Sequence, residues 1–216
     1  MQRTILFQKN ADVINANGKQ VGTLERLVLN PETRVVTDIV VRTGSLFNKA
    51  ARLVPVELVV ETTENQIVLS ERSDDLESCL PFEERHLVDR SDELDGPSQD
   101  MAPVAYGYPE LGPALMPASS ERFVTRLEQN IPEGMVAMKE GAKVITADGK
   151  NVGKVERVLA DSSVDQITHL LISTSIFTNE QHLIPMQWVM TVGEDEVHLR
   201  VNKDSLEESA DPSIAR

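Results

Sequence analysis

Aromatic residues are scarce in this chain of 216 residues, at 4%, with five Phe, two Tyr and one Trp. A core built without them must rest on Val, Ile and Leu. There is a single cysteine, Cys79, so no intramolecular disulfide can brace the fold. That suits a reducing compartment. No apolar run nears the 18 or so residues that a membrane span needs. The stretch Met1 to Gln8 lacks the long apolar centre of a signal peptide. A cytoplasmic protein with no membrane insertion is expected. Basic residues are few, 21 against 35 acidic, for a net charge of −14. Gripping phosphate needs clustered Lys and Arg, so no direct nucleic-acid partner is expected.

Chemistry-bearing patterns are missing too. The four histidines, His86, His169, His182 and His198, have no Cys or second His at ligand spacing. Asp148-Gly149 lacks the alternating acids and terminal Glu of a calcium loop. There is no Gly-rich phosphate loop and no nucleophile motif. The expectation is a non-enzymatic protein with no cofactor and no metal.

What the chain does have is a duplication. Ala11-Asp12-Val13-Ile14-Asn15-Ala16-Asn17-Gly18-Lys19-Gln20-Val21-Gly22 returns as Ala142-Lys143-Val144-Ile145-Thr146-Ala147-Asp148-Gly149-Lys150-Asn151-Val152-Gly153. The offset of 131 holds to Asn48 and Asn179. After one deletion it becomes 130 and runs from Leu53 and Leu183 to Leu76 and Leu206. One module is written twice, over residues 1–80 and 134–211, with a tail at 212–216. A copy of this size alone would be marginal.

Each copy reads as about six short strands and a terminal helix, the pattern of a small antiparallel barrel. Asn17-Gly18 and Asp148-Gly149 predict type I′ hairpin turns. Gly22 and Gly153 lie inside strands, where glycine marks a bulge or bend. Asp74-Asp75-Leu76-Glu77 and Asp204-Ser205-Leu206-Glu207 predict helix starts, with the Asp as cap. Glu25-Arg26 and Glu156-Arg157 read as surface ion pairs on the hairpins. The strand from Arg34 to Thr43 is apolar on both faces, with Val36 and Val40 on one and Ile39 and Val41 on the other. Ile167 and Leu171 repeat this in the second copy. Such a strand is covered on both sides, so its outer face must meet a helix, the other copy or a partner. Trp188, where the first copy has Leu58, is a further interaction candidate.

Between the copies, residues 81–133 hold 11 acidic and 4 basic groups. Asp92 to Ser120 is rich in Pro, Gly and Ser and reads as a flexible acidic linker. Tyr106 and Tyr108 stand out in it as docking candidates. Ser120 to Gln129 reads as a short amphipathic helix, since Phe123 and Leu127 are four apart.

The order Gly-Lys-x-Val-Gly-x-Val/Leu-Glu, then a turn, a Val/Ile-rich strand and Leu-Val/Ile-Pro, resembles the PRC-barrel family. Gly18-Lys19, Val21-Gly22, Glu25 and Pro55 carry it in the first copy. Gly149-Lys150, Val152-Gly153, Glu156, Pro185 and Trp188 carry it in the second. That family includes the cytoplasmic part of the photosynthetic reaction-centre H subunit and the C-terminal domain of a ribosome-maturation factor. The resemblance implies two small β-barrels that serve as a protein-binding or assembly scaffold. The partner would be an unidentified protein or a second copy in a homo-oligomer. Two other roles arise by analogy: an accessory of a photosynthetic or electron-transfer membrane complex, or binding to a ribosomal protein. No membrane span or RNA-processing segment accompanies the repeats here, so neither role transfers directly.

Overall fold

The computed structural model describes residues 4–8, 10–45, 48–71, 76–89, 123–173 and 181–208. The fold is mostly β. The first copy runs β1 (Thr4–Gln8), β2 (Asp12–Ile14), β3 (Gln20–Leu29), β4 (Val36–Ser45) and β5 (Asn48–Pro55). A 3₁₀ turn at Val56–Leu58 leads to β6 (Val59–Thr62), β7 (Gln66–Leu69) and a second 3₁₀ turn at Leu76–Ser78. After β8 (Glu83–Asp89) and β9 (Phe123–Gln129), the second copy repeats the plan. It runs β10 (Val136–Lys139), β11 (Lys143–Ile145), β12 (Asn151–Asp161), β13 (Gln166–Ser173) and β14 (Gln181–Pro185). A 3₁₀ turn at Met186–Trp188 is followed by β15 (Val189–Val192), β16 (Glu196–Leu199) and helix α1 (Lys203–Glu208).

The strands form two seven-stranded sheets. One has the order β5-β4-β3-β2-β7-β6, and the other β14-β13-β12-β11-β16-β15. Among the described residues neither sheet closes on itself, so they do not form two separate closed barrels. The seventh strand of each sheet comes from the other copy. β1 pairs with β12, placing Phe7 opposite Val158. β10 pairs with β3, placing Met138 opposite Leu27. With the offset of 131 these are the same pairing made twice, so the copies exchange their first strands.

A second junction repeats the symmetry. The Val36 N–H donates to the Asp165 carbonyl at 2.8 Å, and the Ile167 N–H to the Arg34 carbonyl at 2.9 Å. Val35 and Gln166, also 131 apart, form the bridge between them. Arg34 and Asp165 both take positive φ, 62° and 51°, which lets the two turns meet edge to edge. Phe7, Leu24, Leu27, Val155, Val158 and Met138 share one hydrophobic cluster with residues from both copies. Each such side chain contributes about 1.5–3 kcal/mol by leaving water. The two copies therefore belong to one compact unit, Met1–Phe82 with Asn130–Arg216.

Bulges decide which side chains face this core. On β3, Leu24 opposes Val41 and Arg26 opposes Val40, so Glu25 is an extra residue. Val155 opposes Ile172 and Arg157 opposes Leu171, so Glu156 is its counterpart. Each extra residue shifts the strand's parity by one. Leu24 and Leu27, three apart, thus both point inward. Thr37 and Thr168 are extra residues in the same sense, because Val28 and Leu29 oppose Asp38 and Val36. Leu159 and Ala160 likewise oppose His169 and Ile167. The freed threonine hydroxyls donate to the Val28 and Leu159 carbonyls, at 3.4 and 3.2 Å.

The hairpin at Asn17-Gly18 is not type I′. Only Gly18 has positive φ, 76°, and the Gly18 N–H donates to the Asn15 carbonyl. The Asn15 side chain accepts from the N–H groups of Asn17 and Lys19, which holds a turn with a left-handed glycine after it. In the second copy Gly149 has φ of 75° and the Thr146 hydroxyl takes the part of Asn15. It also donates to Asp148 at 2.6 Å, and Lys150 pairs with that carboxylate at 2.9 Å. The Lys150 and Thr146 hydrogen bonds hold Asp148 at a pKa of about 2.

In the segment between the copies, residues 123–129 form strand β9 and not the helix expected over 120–129. β9 pairs with β8 from Glu83–Gln129 to Asp89–Phe123, and this hairpin belongs to a second unit, Glu83–Gln129. Asp74 lies outside the described residues. Asp204 falls within the first turn of α1 and does not cap it, since the Leu206 N–H donates to the Asn202 carbonyl.

Candidate functional site: the outer faces of the two sheets

The pockets of the main unit make poor chemical sites. A cavity of about 20 Å³ sits between the exchanged strands, lined by the equivalent pairs Phe7 and Met138, Leu24 and Val155, and Leu27 and Val158. It holds one water at most. An open groove beside β16 gathers Lys139, Lys143, Glu194, Asp195, Glu196 and His198. Its side chains pair with one another: Lys139 meets Asp195 at 2.6 Å, Lys143 reaches Glu196 at 3.6 Å, and the His198 ring lies 3.6 Å from the same carboxylate. The Lys139 hydrogen bond holds the Asp195 carboxyl below its usual range. Among the described residues no three His, Cys, Asp or Glu side chains gather to hold a metal ion. No helix among them is long and apolar enough to cross a membrane.

The surface that stands out is the outer face of each sheet. In the first copy Val28, Val40, Leu53 and Ala137 line it, and Phe82 lies on top. Val40 is fully buried there, with Ala51, Ile131 and Met135 packed at the margin. The segment that brings Phe82 extends the sheet. The Leu53 N–H donates to the Leu80 carbonyl, and the Phe82 N–H donates to the Ala51 carbonyl, both at 2.8 Å. Arg52 and Pro81 form a bridge between them. Pro81 fits because its missing N–H would face away from the ladder. The Arg26 guanidinium lies 5.1 Å from the Phe82 ring centre, a cation–π distance. Asn130 closes the arrangement, its backbone N–H donating to the Phe82 carbonyl at 2.8 Å and its side chain to the Pro81 carbonyl at 2.9 Å.

In the second copy the matching stripe is Leu159, Leu171, Leu183 and Leu6. The pairings put Leu6 beside Leu159 and Leu171 beside Leu183, and across β12 and β13 Leu159 opposes His169 and Leu171 opposes Arg157, so the two pairs are diagonal neighbours. Leu6, Leu159 and Leu183 are half-buried, and Leu171, 9% exposed, joins neither hydrophobic cluster. β14 is the edge strand, and among the described residues nothing pairs with its outer side.

Arg26 and Arg157 also link the copies. Arg26 reaches Glu194 at 3.3 Å and Arg157 reaches Glu64 at 3.4 Å, the same contact made in both directions. These are bridges between copies, not the local surface pairs expected on each hairpin. Glu25 and Glu156 supply the bulge.

The predicted interaction residues divide. Val36 and Ile167 lie in the shared core. They were expected on one face with Val40 and Leu171, but the bulges at Thr37 and Thr168 turn them inward. Val40 is on the outer face, covered by Phe82. Leu171 is on the outer face of the second copy. Trp188 is half-buried against the shared core. Tyr106 and Tyr108 lie outside the described residues. Sequence reasoning missed Phe82, which falls within the connector expected over 81–133, and read Arg157 only as part of a local ion pair.

Residues 9–76 match the PRC-barrel domain. The chain carries a PRC-barrel domain. Its motif residues Gly22, Glu25 and Pro55 occupy the close strand crossing, the bulge and the end of β5. Residues 138–207 match a different family, described as an uncharacterized protein conserved in bacteria (DUF2171). No curated protein matches the chain. The region matched as DUF2171 nonetheless has the strand order and bulge positions of the PRC-barrel copy.

Proposed function

We propose that the chain is a non-enzymatic assembly module, two PRC-type copies interlocked into one scaffold that binds a protein partner. The observation that carries this reading is the outer stripe Leu6, Leu159, Leu171 and Leu183. These leucines lie on the side of the sheet away from the shared core, and among the described residues no ring covers them as Phe82 covers their counterparts. The PRC-barrel match supports a binding role and does not name the partner. The net charge of −14 favours a basic partner. A cytoplasmic setting belongs to the same proposal.

The test is co-purification of the tagged full chain from its native cells, alongside light scattering. A partner held by the intact chain, or a stable dimer, supports the reading. A strict monomer that retains nothing overturns it.

A further inference from the structure

The first copy displays what its outer face takes. An extended Leu-Pro-Phe segment adds two hydrogen bonds to the edge of β5 and lays an aromatic ring between the apolar stripe and an arginine. The second copy keeps the receiving parts. Leu183 and Gln181 stand where Leu53 and Ala51 supply the N–H and the carbonyl. Leu159 and Leu171 stand where Val28 and Val40 receive the ring. Arg157 stands where Arg26 covers it. At the offset of 130, Pro212 aligns with Phe82, and proline has no N–H to donate.

We infer that the edge of β14 and the leucine stripe beside it bind an extended segment of a partner protein carrying an aromatic side chain. The inference rests on the assembly reading and names its site and ligand class. The segment adds as a strand. Its residue i carbonyl accepts from the Leu183 N–H, and its residue i+2, the aromatic one, donates its N–H to the Gln181 carbonyl. Proline is tolerated between them. The ring lies on Leu159 and Leu171 under Arg157, and basic flanking residues suit the acidic chain.

The test is a titration of the ¹⁵N-labelled full chain with the peptide acetyl-Lys-Leu-Pro-Phe-Lys-amide. Saturable shifts at Arg157, Leu159, Leu171, Gln181 and Leu183 are expected. Replacing the peptide's Phe by Ala should weaken binding about tenfold or more, and Arg157→Ala about threefold. Leu183→Asp should abolish it while Trp188 emission stays that of the folded chain. No shifts at millimolar peptide, or shifts confined to β5 and Phe82, overturn the inference. So does binding that appears only after residues 209–216 are removed, which would make the tail the occupant. So does a response lost on raising protein concentration, which would make it a second copy. If the native partner is retained by the Arg157→Ala and Leu183→Asp variants, this site falls and the assembly reading stands.

Discussion

The two copies share strand order, bulges and exchanged first strands, and they differ on their outer faces. The sheet of the first copy has small residues there, Val28, Val40 and, from the exchanged strand β10, Ala137, with a phenylalanine laid across them. The second has Leu159, Leu171 and Leu6 and no such cover among the described residues. The inner faces differ in detail too, with Phe7 and Met138, Leu24 and Val155, and Leu29 and Ala160 at equivalent positions, but strand exchange places both sets in one cluster.

The largest effects should come from breaking what the copies share. Phe7→Ala removes a buried ring that the first copy places against Val158. We expect a loss of about 3–5 kcal/mol by urea denaturation, seen equally by Trp188 fluorescence in the second copy. Met138→Ala should act in the reverse direction, at about 2–5 kcal/mol.

Next come the features that set the copies apart. Phe82→Ala should uncover the first copy's stripe, at a cost of about 3 kcal/mol, and raise binding of a hydrophobic dye. Gly22→Ala places a Cβ 2.5 Å from the Arg42 carbonyl oxygen and 2.6 Å from Val41. A loss of about 1–3 kcal/mol is expected from this overpacking.

The bridges between the copies should matter less. Glu64→Ala breaks an exposed pair with Arg157 and should cost under about 1 kcal/mol. Glu194→Ala should cost more, because Arg26 is only 9% exposed and would be left buried without its partner. The smallest effect is a pH dependence confined to the second copy. Asp148 titrates near 2 when folded, below its unfolded value of about 3.9. Its contribution is complete above that unfolded value and is lost as pH falls through 2. Asp148→Asn should remove this increment from an acid-unfolding curve, while Asn17→Ala in the first copy leaves it in place.

Strand content was legible because Val- and Ile-rich runs bounded by Asn-Gly and Asp-Gly have few alternatives. Face assignments were not. An extra residue at Thr37 or Glu25 leaves the sequence looking like an uninterrupted strand yet inverts every side chain beyond it. Val36 and Ile167 were misplaced for this reason. The exchange of β1 and β10 was hidden for a different one. Ile5 and Phe7 alternate identically whether the strand joins its own sheet or its neighbour's. Residues 123–129 were read as helical from the spacing of Phe123 and Leu127, but Val124 and Thr125 favour a strand, and pairing with β8 decides. Of the outer-face residues, Val40 and Leu171 stood among the candidates read from the sequence. Phe82 and Arg157 did not, since their role depends on chain crossings far apart in sequence.

The interlocking of the copies can be tested with one substitution and two probes. Ile39→Ala empties part of the core in the first copy, while Trp188 reports from the second. We predict one urea transition by far-UV circular dichroism and by Trp188 fluorescence, with both midpoints lowered together. An unchanged Trp188 midpoint beside a lowered dichroism transition would contradict the exchange and return the molecule to two independent domains.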